Sequence, residues 1–300
     1  MTDGSSAREA KQRVDEALTQ AQKDMPALEN LFHAFGELLA ETAAFKTELQ
    51  PTTQPEIPPI DPDRFLQGVP VASRESMRLS SAELGMAAER LLPVMQRGFP
   101  KITAELERLG RSLKRGTQDG ADLVQALLKE ETDRVERIAK ELEVPPQVLE
   151  FAVTTCIKPF AEKMAERVVP LADELQWLKG YCPICGSWPQ MGFIRGKEGQ
   201  RWLRCSFCGH EWRFTRIACP FCETDDHDKL EILYTEERAF ERAELCHSCR
   251  RYLVSIDSRE RIAEPVPEVA ALGLVYLDIL AQDRGFHPGA PGIWNVVDGQ

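Results

Sequence analysis

Several features common in proteins are scarce in this sequence of 300 residues. The most apolar stretch, residues 266–281, is only 16 residues long and contains Glu268 and Asp278, so it is too short and too charged for a membrane span. Basic side chains are outnumbered 37 to 48 by acidic ones, which argues against a protein that coats nucleic acid or an anionic membrane. The first twenty residues have no apolar core. We therefore expect no secretory signal and a soluble, cytoplasmic protein.

Motifs for catalysis are also missing. The sequence has no glycine-rich phosphate loop, no Gly-x-Ser-x-Gly and no His-Glu-x-x-His. Of the five histidines, His33 and His287 have no partner in a recognisable motif, and His227 lies in an acidic segment expected to be a solvated loop. The sequence therefore predicts a protein that is not an enzyme.

The first 178 residues show helical periodicity. Apolar side chains recur at spacings of three and four, which places them on stripes that must pack against other helices. Pro145 and Pro146 break one helix and start the next. Five prolines between Pro51 and Pro62 predict an extended connection, followed by a short helix at residues 63–66. The stripes are Leu28, Leu31, Phe32, Phe35, Leu38 and Leu39; Leu84, Ala88, Leu91, Leu92 and Met95; Ile102, Leu106, Leu109 and Leu113; Leu123, Leu127, Val135, Ile138 and Leu142; and Met164, Val168, Leu171, Leu175 and Leu178.

Residues 181–257 consist instead of short alternating runs separated by turns. The runs 192–195 and 200–204 flank Gly-Lys-Glu-Gly, which is the signal of a hairpin, and 230–234 and 252–256 also have strand character. Residues 269–283 are predicted to form one amphipathic helix before a tail rich in glycine and proline. We expect this helix to dock on the helical domain or to cover the strands.

Cysteine is absent from the first 155 residues and concentrated later in the chain. Apart from Cys156, all cysteines fall within 68 residues as four Cys-x-x-Cys turns, called knuckles below. In a cytosolic chain this arrangement indicates metal ligation rather than a disulfide scaffold. The four knuckles, numbered first to fourth, are Cys182/Cys185, Cys205/Cys208, Cys219/Cys222 and Cys246/Cys249.

The knuckles divide in sequence order into two units that repeat after about 37 residues. The first unit is Cys-x2-Cys-x19-Cys-x2-Cys and the second is Cys-x2-Cys-x23-Cys-x2-Cys, each with hairpin-compatible residues between its knuckles. Because a hairpin brings two knuckles opposite each other, each unit can close a tetrahedron of four thiolates around one ion. We therefore predict one metal ion at Cys182, Cys185, Cys205 and Cys208, and another at Cys219, Cys222, Cys246 and Cys249.

Glycine follows the second cysteine in the first two knuckles, at Gly186 and Gly209, and a left-handed residue there lets backbone N–H groups point at sulfur. In the third and fourth knuckles Glu223 and Arg250 take this position. We expect these two knuckles to be more strained, with less regular N–H···S bonds.

Three roles remain open for such sites. They can be structural metal staples that supply folding energy, redox-active iron sites, or labile sites that transfer metal. Thioredoxin-like disulfide exchange is disfavoured, since it uses one exposed Cys-x-x-Cys on a βα unit.

Cys156 lies on an apolar helical face and is predicted to be a buried structural thiol. His210 and His247 are adjacent to cysteines, but each unit already has four sulfurs, so we do not assign them as ligands.

Charge differs between the two units. Residues 180–218 have two acidic side chains and six basic ones, whereas residues 219–255 have nine acidic and five basic. The six basic side chains are Arg195, Lys197, Arg201, Arg204, Arg213 and Arg216. Trp202, Trp212 and Phe214 could stack on bases, but four thiolates around a divalent ion leave only a small positive patch, so nucleic-acid binding is disfavoured. A surface of aromatic and arginine side chains also suits a protein partner.

The chain resembles the FdhE family, the formate dehydrogenase accessory (formation) proteins. The resemblance rests on PPIDPDRFL in the helical half, on CPICGSWP, RCSFCGHEW, ACPFC and ELCHSCRRYL, and on the apolar helix before a Gly/Pro tail with Asn295. It implies rubredoxin-like sites that bind iron at the eight paired cysteines. It also implies a cytoplasmic role on the catalytic subunit of a molybdenum formate dehydrogenase before export. Glu223 and Arg250 depart from the glycine pattern at the second site.

Taken together, the sequence predicts an α+β multidomain protein, an all-α helical bundle followed by two tandem rubredoxin-like or zinc-ribbon tetrathiolate modules and a C-terminal helix. The predicted domains are residues 1–178, 179–218, 219–258 and 259–300. The predicted function is maturation of formate dehydrogenase, with two metal ions, iron favoured by the resemblance and zinc as the alternative. The alternative function is a zinc-stapled adaptor for another protein or nucleic acid, and the sequence leaves a homodimer open.

Overall fold

The computed structural model describes residues 4–50, 59–114, 118–172, 175–259 and 264–292. These residues form two units: the helical unit contains residues 4–50, 74–114 and 118–164, and the sheet unit contains residues 59–73, 165–172, 175–259 and 264–292. The predicted connection at residues 51–58 lies outside the described residues. The helices are α1 Gly4–Asp24, α2 Glu29–Glu48, α3 Pro62–Leu66, α4 Ser81–Gly98, α5 Thr103–Lys114, α6 Gln118–Leu128, α7 Thr132–Leu142, α8 Pro146–Ala172, α9 Pro267–Gly273 and α10 Val275–Asp283.

The helical unit is built from amphipathic helices whose apolar stripes are mostly buried. Leu171 and Leu178, which end the last predicted stripe, are instead 55% and 65% exposed. In α4 the Ser80 hydroxyl accepts a hydrogen bond from the Glu83 N–H at 3.2 Å, and the Glu83 carboxylate accepts one from the Ser80 N–H at 2.8 Å. This capping box satisfies amide groups that the first turn of a helix leaves without partners. The α4 stripe, Leu84, Ala88, Leu91, Leu92 and Met95, is fully buried.

Two helices end earlier than the periodicity predicts. The run from Leu123 to Leu142 is divided into α6 and α7, with Glu130 between them in a left-handed conformation at φ 56°. The last stripe continues to Leu178, but α8 ends at Ala172. Beyond it, the Trp177 ring packs on Phe65 at 4.7 Å and its Nε1 donates to the Tyr181 carbonyl, so aromatic contacts organise this segment.

The strands of both cysteine units belong to one sheet, with the order β3-β2-β1-β6-β5-β4. Each cysteine unit forms antiparallel strand pairs of its own, as the hairpin signals predict. The two units are joined by parallel pairing of β1 with β6, from Met191 opposite Val254 to Ile194 opposite Asp257. The parallel pairing is a tertiary contact that local sequence spacing does not reveal. The strands are β1 Pro189–Arg195, β2 Gln200–Cys205, β3 Glu211–Arg213, β4 Leu230–Leu233, β5 Glu241–Cys246, β6 Arg251–Asp257 and β7 His287–Pro288.

The predicted C-terminal helix is two helices, α9 and α10, with Leu274 between them. They belong to the sheet unit, where α10 packs on the sheet. The Tyr252 hydroxyl of β6 donates to Asp278 of α10, and the Tyr276 hydroxyl donates to Glu241 of β5 at 2.9 Å.

Among the described residues, no helix has the length and apolar character needed to cross a bilayer. The predicted fold class, a helical region followed by a sheet region with two four-cysteine clusters and C-terminal helices, is confirmed.

Replacing Phe193, which is buried in β1 between β2 and β6, should destabilise the sheet unit. Loss of a buried aromatic ring costs about 3–5 kcal/mol. Urea unfolding of Phe193→Ala can be followed by tryptophan fluorescence, because Trp177, Trp188, Trp202 and Trp212 all lie in this unit. The control Ile279→Ala removes a side chain that is 53% exposed and should change stability by no more than about 0.5 kcal/mol. Equal effects of the two substitutions would contradict the assigned core.

Candidate metal centres

The structure brings the eight paired cysteines together as two clusters of four. In each cluster the Sγ atoms all lie within 4.8 Å of one another. The first cluster joins the first and second knuckles, and the second cluster joins the third and fourth knuckles. Cys205 and Cys246 are the last residues of β2 and β5, and the other cysteines lie in the turns beside the strands. These sets match the sequence-local pairing, and their role as metal ligands remains a prediction.

The distances between sulfur atoms fit a tetrahedral metal site. In the first cluster Cys182 and Cys208 are 3.6 Å apart and Cys185 and Cys205 are 3.4 Å apart. With metal–sulfur distances of about 2.3 Å, a tetrahedron places neighbouring sulfurs about 3.8 Å apart. The separations are too long for disulfide bonds, and all nine cysteines are free thiols. In the second cluster the Cys219–Cys249 and Cys222–Cys246 distances are 3.7 Å and 3.6 Å.

All four knuckles share one backbone shape. The residue after the second cysteine is left-handed at Gly186 (φ 80°), Gly209 (65°), Glu223 (58°) and Arg250 (58°). Glycine adopts this conformation freely, whereas other residues lose about 1–2 kcal/mol. The third and fourth knuckles are therefore strained, as expected.

At the third knuckle, the N–H···S bond that corresponds to one in the second knuckle does not show the expected irregularity. The Phe207 N–H donates to the Cys205 Sγ at 3.4 Å, and the Phe221 N–H donates to the Cys219 Sγ at the same distance. The reason is that the left-handed residue aims the amides of the turn at the first sulfur. Glu223 adopts that conformation despite its Cβ.

Burial opposes ionisation of these thiols. It raises the pKa of Cys182 and of Cys208 well above the usual range, and it raises the pKa of Cys249 to about 11. Four thiols packed together would repel one another if they all became thiolates. A bound cation supplies the missing positive charge, and soft sulfur donors favour zinc or iron. The donor set therefore fits a metal ion.

Close contacts at two glycines hold the third knuckle in place, and the spacing of the cysteines does not predict them. A Cβ on Gly180 would overlap with the Pro220 carbonyl, and a Cβ on Gly289 would overlap with the Phe221 ring. Gly180 lies two residues before Cys182, so this contact joins the first knuckle to the third. The only sequence signal is a glycine preceding the first Cys-x-x-Cys, which does not reveal what it contacts.

Arg201 positions the segment before Cys219, a role that differs from the one expected from the sequence. We expected it to contribute to a basic, aromatic surface, but the side chain is buried and donates to the carbonyls of Thr215 and Ala218 at 3.0 Å and 2.7 Å. It also forms an ion pair with Glu244. These bonds fix the chain that leads into Cys219. Trp212 is buried too, with its Nε1 donating to the Lys179 carbonyl at 3.2 Å, so neither side chain is available to stack on bases.

The remaining candidates lie outside the clusters. Cys156 is fully buried in α8, and burial raises its pKa to about 12, as expected of a structural thiol. His210 stacks on Trp212, and the His247 Nε2 lies 2.8 Å from Glu231. His227 is exposed beside Asp228. Among the described residues, the two groups that could hold a metal contain only cysteine.

Comparison with known proteins gives consistent similarities. A family model described as "FdhE, central domain" matches residues 181–216. A "Protein FdhE homolog" of Aquifex aeolicus is 32% identical over 146 residues, which make up 48% of this chain and 50% of the relative. Another, from Pseudomonas aeruginosa, is 48% identical over 81 residues, 24% of this chain and 26% of the relative. The chain thus spans half or less of the length of these curated relatives.

The fold is similar to that in the crystal structure of the FdhE protein from Pseudomonas aeruginosa. The TM-score is 0.64, 95% of each chain is covered, and 24% of residues are identical. At this level of identity the likeness establishes the fold.

Removal of metal should unfold the sheet unit and spare the helical unit. Structural metal sites supply folding free energy, whereas the helical unit has its own buried core and no cysteine of either cluster. Titration with a chelator should therefore change tryptophan fluorescence while most of the helical circular dichroism signal persists. A chelator saturated with magnesium serves as the control. Loss of helical signal in step with metal release would contradict this independence.

Substitution of Gly180 by alanine should weaken the second cluster. The new Cβ forces the Pro220 backbone to move, and such overpacking costs about 1–3 kcal/mol. Metal analysis of Gly180→Ala after mild competition with a chelator should find fewer than two ions per chain. Gly196→Ala is the control for general destabilisation, since its left-handed backbone (φ 70°) makes alanine cost about 1–2 kcal/mol while nothing lies within 4 Å of the added Cβ. Full metal content in Gly180→Ala would show that the contact is dispensable.

Proposed function

From the similarity to FdhE proteins we propose that the chain is a member of the FdhE family and an accessory factor in the maturation of a molybdenum-dependent formate dehydrogenase. In this proposal it acts in the cytoplasm, binds the catalytic subunit of the dehydrogenase and carries out no catalysis itself. The observation that carries the proposal is the pair of complete four-cysteine clusters on one sheet, beginning in the segment that matches the FdhE central domain.

Each cluster holds one metal ion in this proposal. The four sulfurs of either cluster accept zinc or iron in the same tetrahedral arrangement. Iron would supply one-electron chemistry, whereas zinc would supply only charge and structure. The family resemblance favours iron, and the protein's own residues contribute the sulfur ligands and the amides that donate to them.

A protein partner is better supported than nucleic acid. Arg201 and Trp212, two members of the predicted basic and aromatic surface, are buried and bonded within the sheet unit. Residues 219–255 carry an excess of acidic side chains, and loaded tetrathiolate sites add further negative charge. Nucleic-acid binding needs the opposite balance.

The double substitution Cys182→Ser and Cys185→Ser should abolish binding of the dehydrogenase subunit and maturation of the enzyme. Two ligands do not retain an ion in competition with water, and the first cluster then loses its structure. Affinity capture of the host's formate dehydrogenase catalytic subunit measures binding, and formate oxidation in a strain lacking the native factor measures maturation. Cys156→Ala is the matched control, because it removes a cysteine outside both clusters. Normal maturation with the double variant would overturn the proposal.

Metal substitution separates a redox role from a structural one. The protein is loaded with either iron or zinc, and retention of the fold is checked before each form is assayed. If the sites transfer electrons, the zinc form binds the subunit but yields no active enzyme. If the zinc form fully restores maturation, the metal sites have a structural role and support a surface that binds the partner. Failure of either form to bind the subunit would favour an adaptor for another partner.

A further inference from the structure

The two clusters differ in how far the protein encloses them. In the first cluster all four cysteines are at most 2% exposed. In the second, Cys219 and Cys246 are buried, but Cys222 is exposed and Cys249 is half-buried. The sulfur geometry is similar in both, so the difference lies in what surrounds the sulfurs.

A strap formed by residues 68–72 covers the first knuckle. The Val71 and Ala72 N–H groups donate to the carbonyls of Pro183 and Ile184 at 3.0 Å and 2.8 Å. Pro70 lies against Gly186, where an added Cβ would be 3.1 Å from its Cγ. Because these hydrogen bonds join backbone to backbone across the knuckle, access to the first cluster requires the strap to detach.

The second cluster is open on two sides. Cys222 faces solvent, and a cavity of about 270 Å³ is lined in part by Cys219 and Cys246. Ile217 and Ile232 also line the cavity and are 58% and 49% exposed. An external molecule can therefore approach Cys222 from solvent without displacing a covering segment, whereas Cys219 and Cys246 are only 3% and 2% exposed.

Backbone strain also separates the clusters. Both knuckles of the second cluster end in a non-glycine residue in the left-handed conformation, Glu223 after Cys222 and Arg250 after Cys249. Gly186 and Gly209 hold these positions in the first cluster without strain. Release of a sulfur ligand lets a strained turn relax, so loss of a ligand is less unfavourable at the second cluster.

We propose that the second cluster is the site at which this protein exchanges metal and ligands with an external thiol, whereas the first cluster holds its ion permanently. The inference rests on the proposed binding of one metal ion by each cluster. In the exchange, a bond from the incoming sulfur to the ion forms as the bond from the Cys222 Sγ breaks. The incoming thiol gives its proton to solvent, the released Cys222 thiolate takes one up, and no electron is transferred.

The chemistry of the site indicates a thiol as the external ligand. An ion that prefers four soft sulfur donors is best satisfied by another sulfur, while carboxylate or carbonyl oxygen suits harder ions. Cys222 is the leaving ligand because it is the most exposed residue of the four. Apolar walls at Ile217 and Ile232 suit a thiol attached to an apolar segment of a partner.

The test measures zinc release from the purified full-length protein. Protein with two zinc ions is mixed with excess 4-(2-pyridylazo)resorcinol at several concentrations of glutathione, and absorbance reports the released metal. We expect zinc release in two phases of equal amplitude, with rate constants that differ about tenfold. A tenfold difference corresponds to the free-energy cost of one strained residue. Only the faster phase should accelerate with glutathione.

Mass spectrometry assigns the phases to cysteines. After the first phase, iodoacetamide should label Cys219, Cys222, Cys246 and Cys249 and leave the first cluster protected. Cys156→Ala, with both clusters intact, should reproduce both phases. A single phase, labelling of the first cluster first, or a fast phase that ignores glutathione would overturn the inference. Protein that binds no zinc would instead refute the metal binding on which the proposed function rests.

Discussion

The sheet unit depends on holding the sulfur atoms of its paired cysteines in two groups of four, with the Sγ atoms of each group within 4.8 Å of one another. Buried thiols resist ionisation, and the pKa of Cys182 is raised well above its usual range for this reason. A cation reverses that balance, since it stabilises the thiolates and joins two knuckles that are distant in sequence. Strand pairing and the proposed metal binding would therefore reinforce each other: a hairpin brings its knuckles together, and a bound ion would keep them from separating.

Backbone contacts connect the two clusters to one frame. The parallel pairing of β1 with β6 merges two hairpin units into a single sheet, and Gly180 lets the segment before Cys182 lie directly against Pro220. Arg201, which belongs to the first unit by sequence, donates to the carbonyl of Ala218 at the entrance to the second. These contacts place both clusters on one continuous sheet.

The difference in enclosure gives the repeated motif two uses. In the first cluster, the strap covers the first knuckle and glycine adopts the left-handed conformation without strain, so the four cysteines form an enclosed structural site. Where Cys222 is exposed and Glu223 holds a strained conformation, the same four-cysteine pattern forms a site open to external ligands. One repeated sequence unit can therefore stabilise the fold at one position and meet a partner at the other.

The sequence alone determined the division of the paired cysteines into two sets of four, because this division depends on residue type and short spacing. The glycine after the second cysteine also predicted the left-handed residue that ends the first and second knuckles. The burial of Arg201, the strap at Pro70 and the contact of Gly180 with Pro220 were decided only by tertiary structure. The same holds for exposure: Cys185 and Cys222 occupy equivalent positions in their motifs, yet only Cys222 is open to solvent. Motif spacing specifies which atoms can meet, whereas distant segments of the chain determine what covers them.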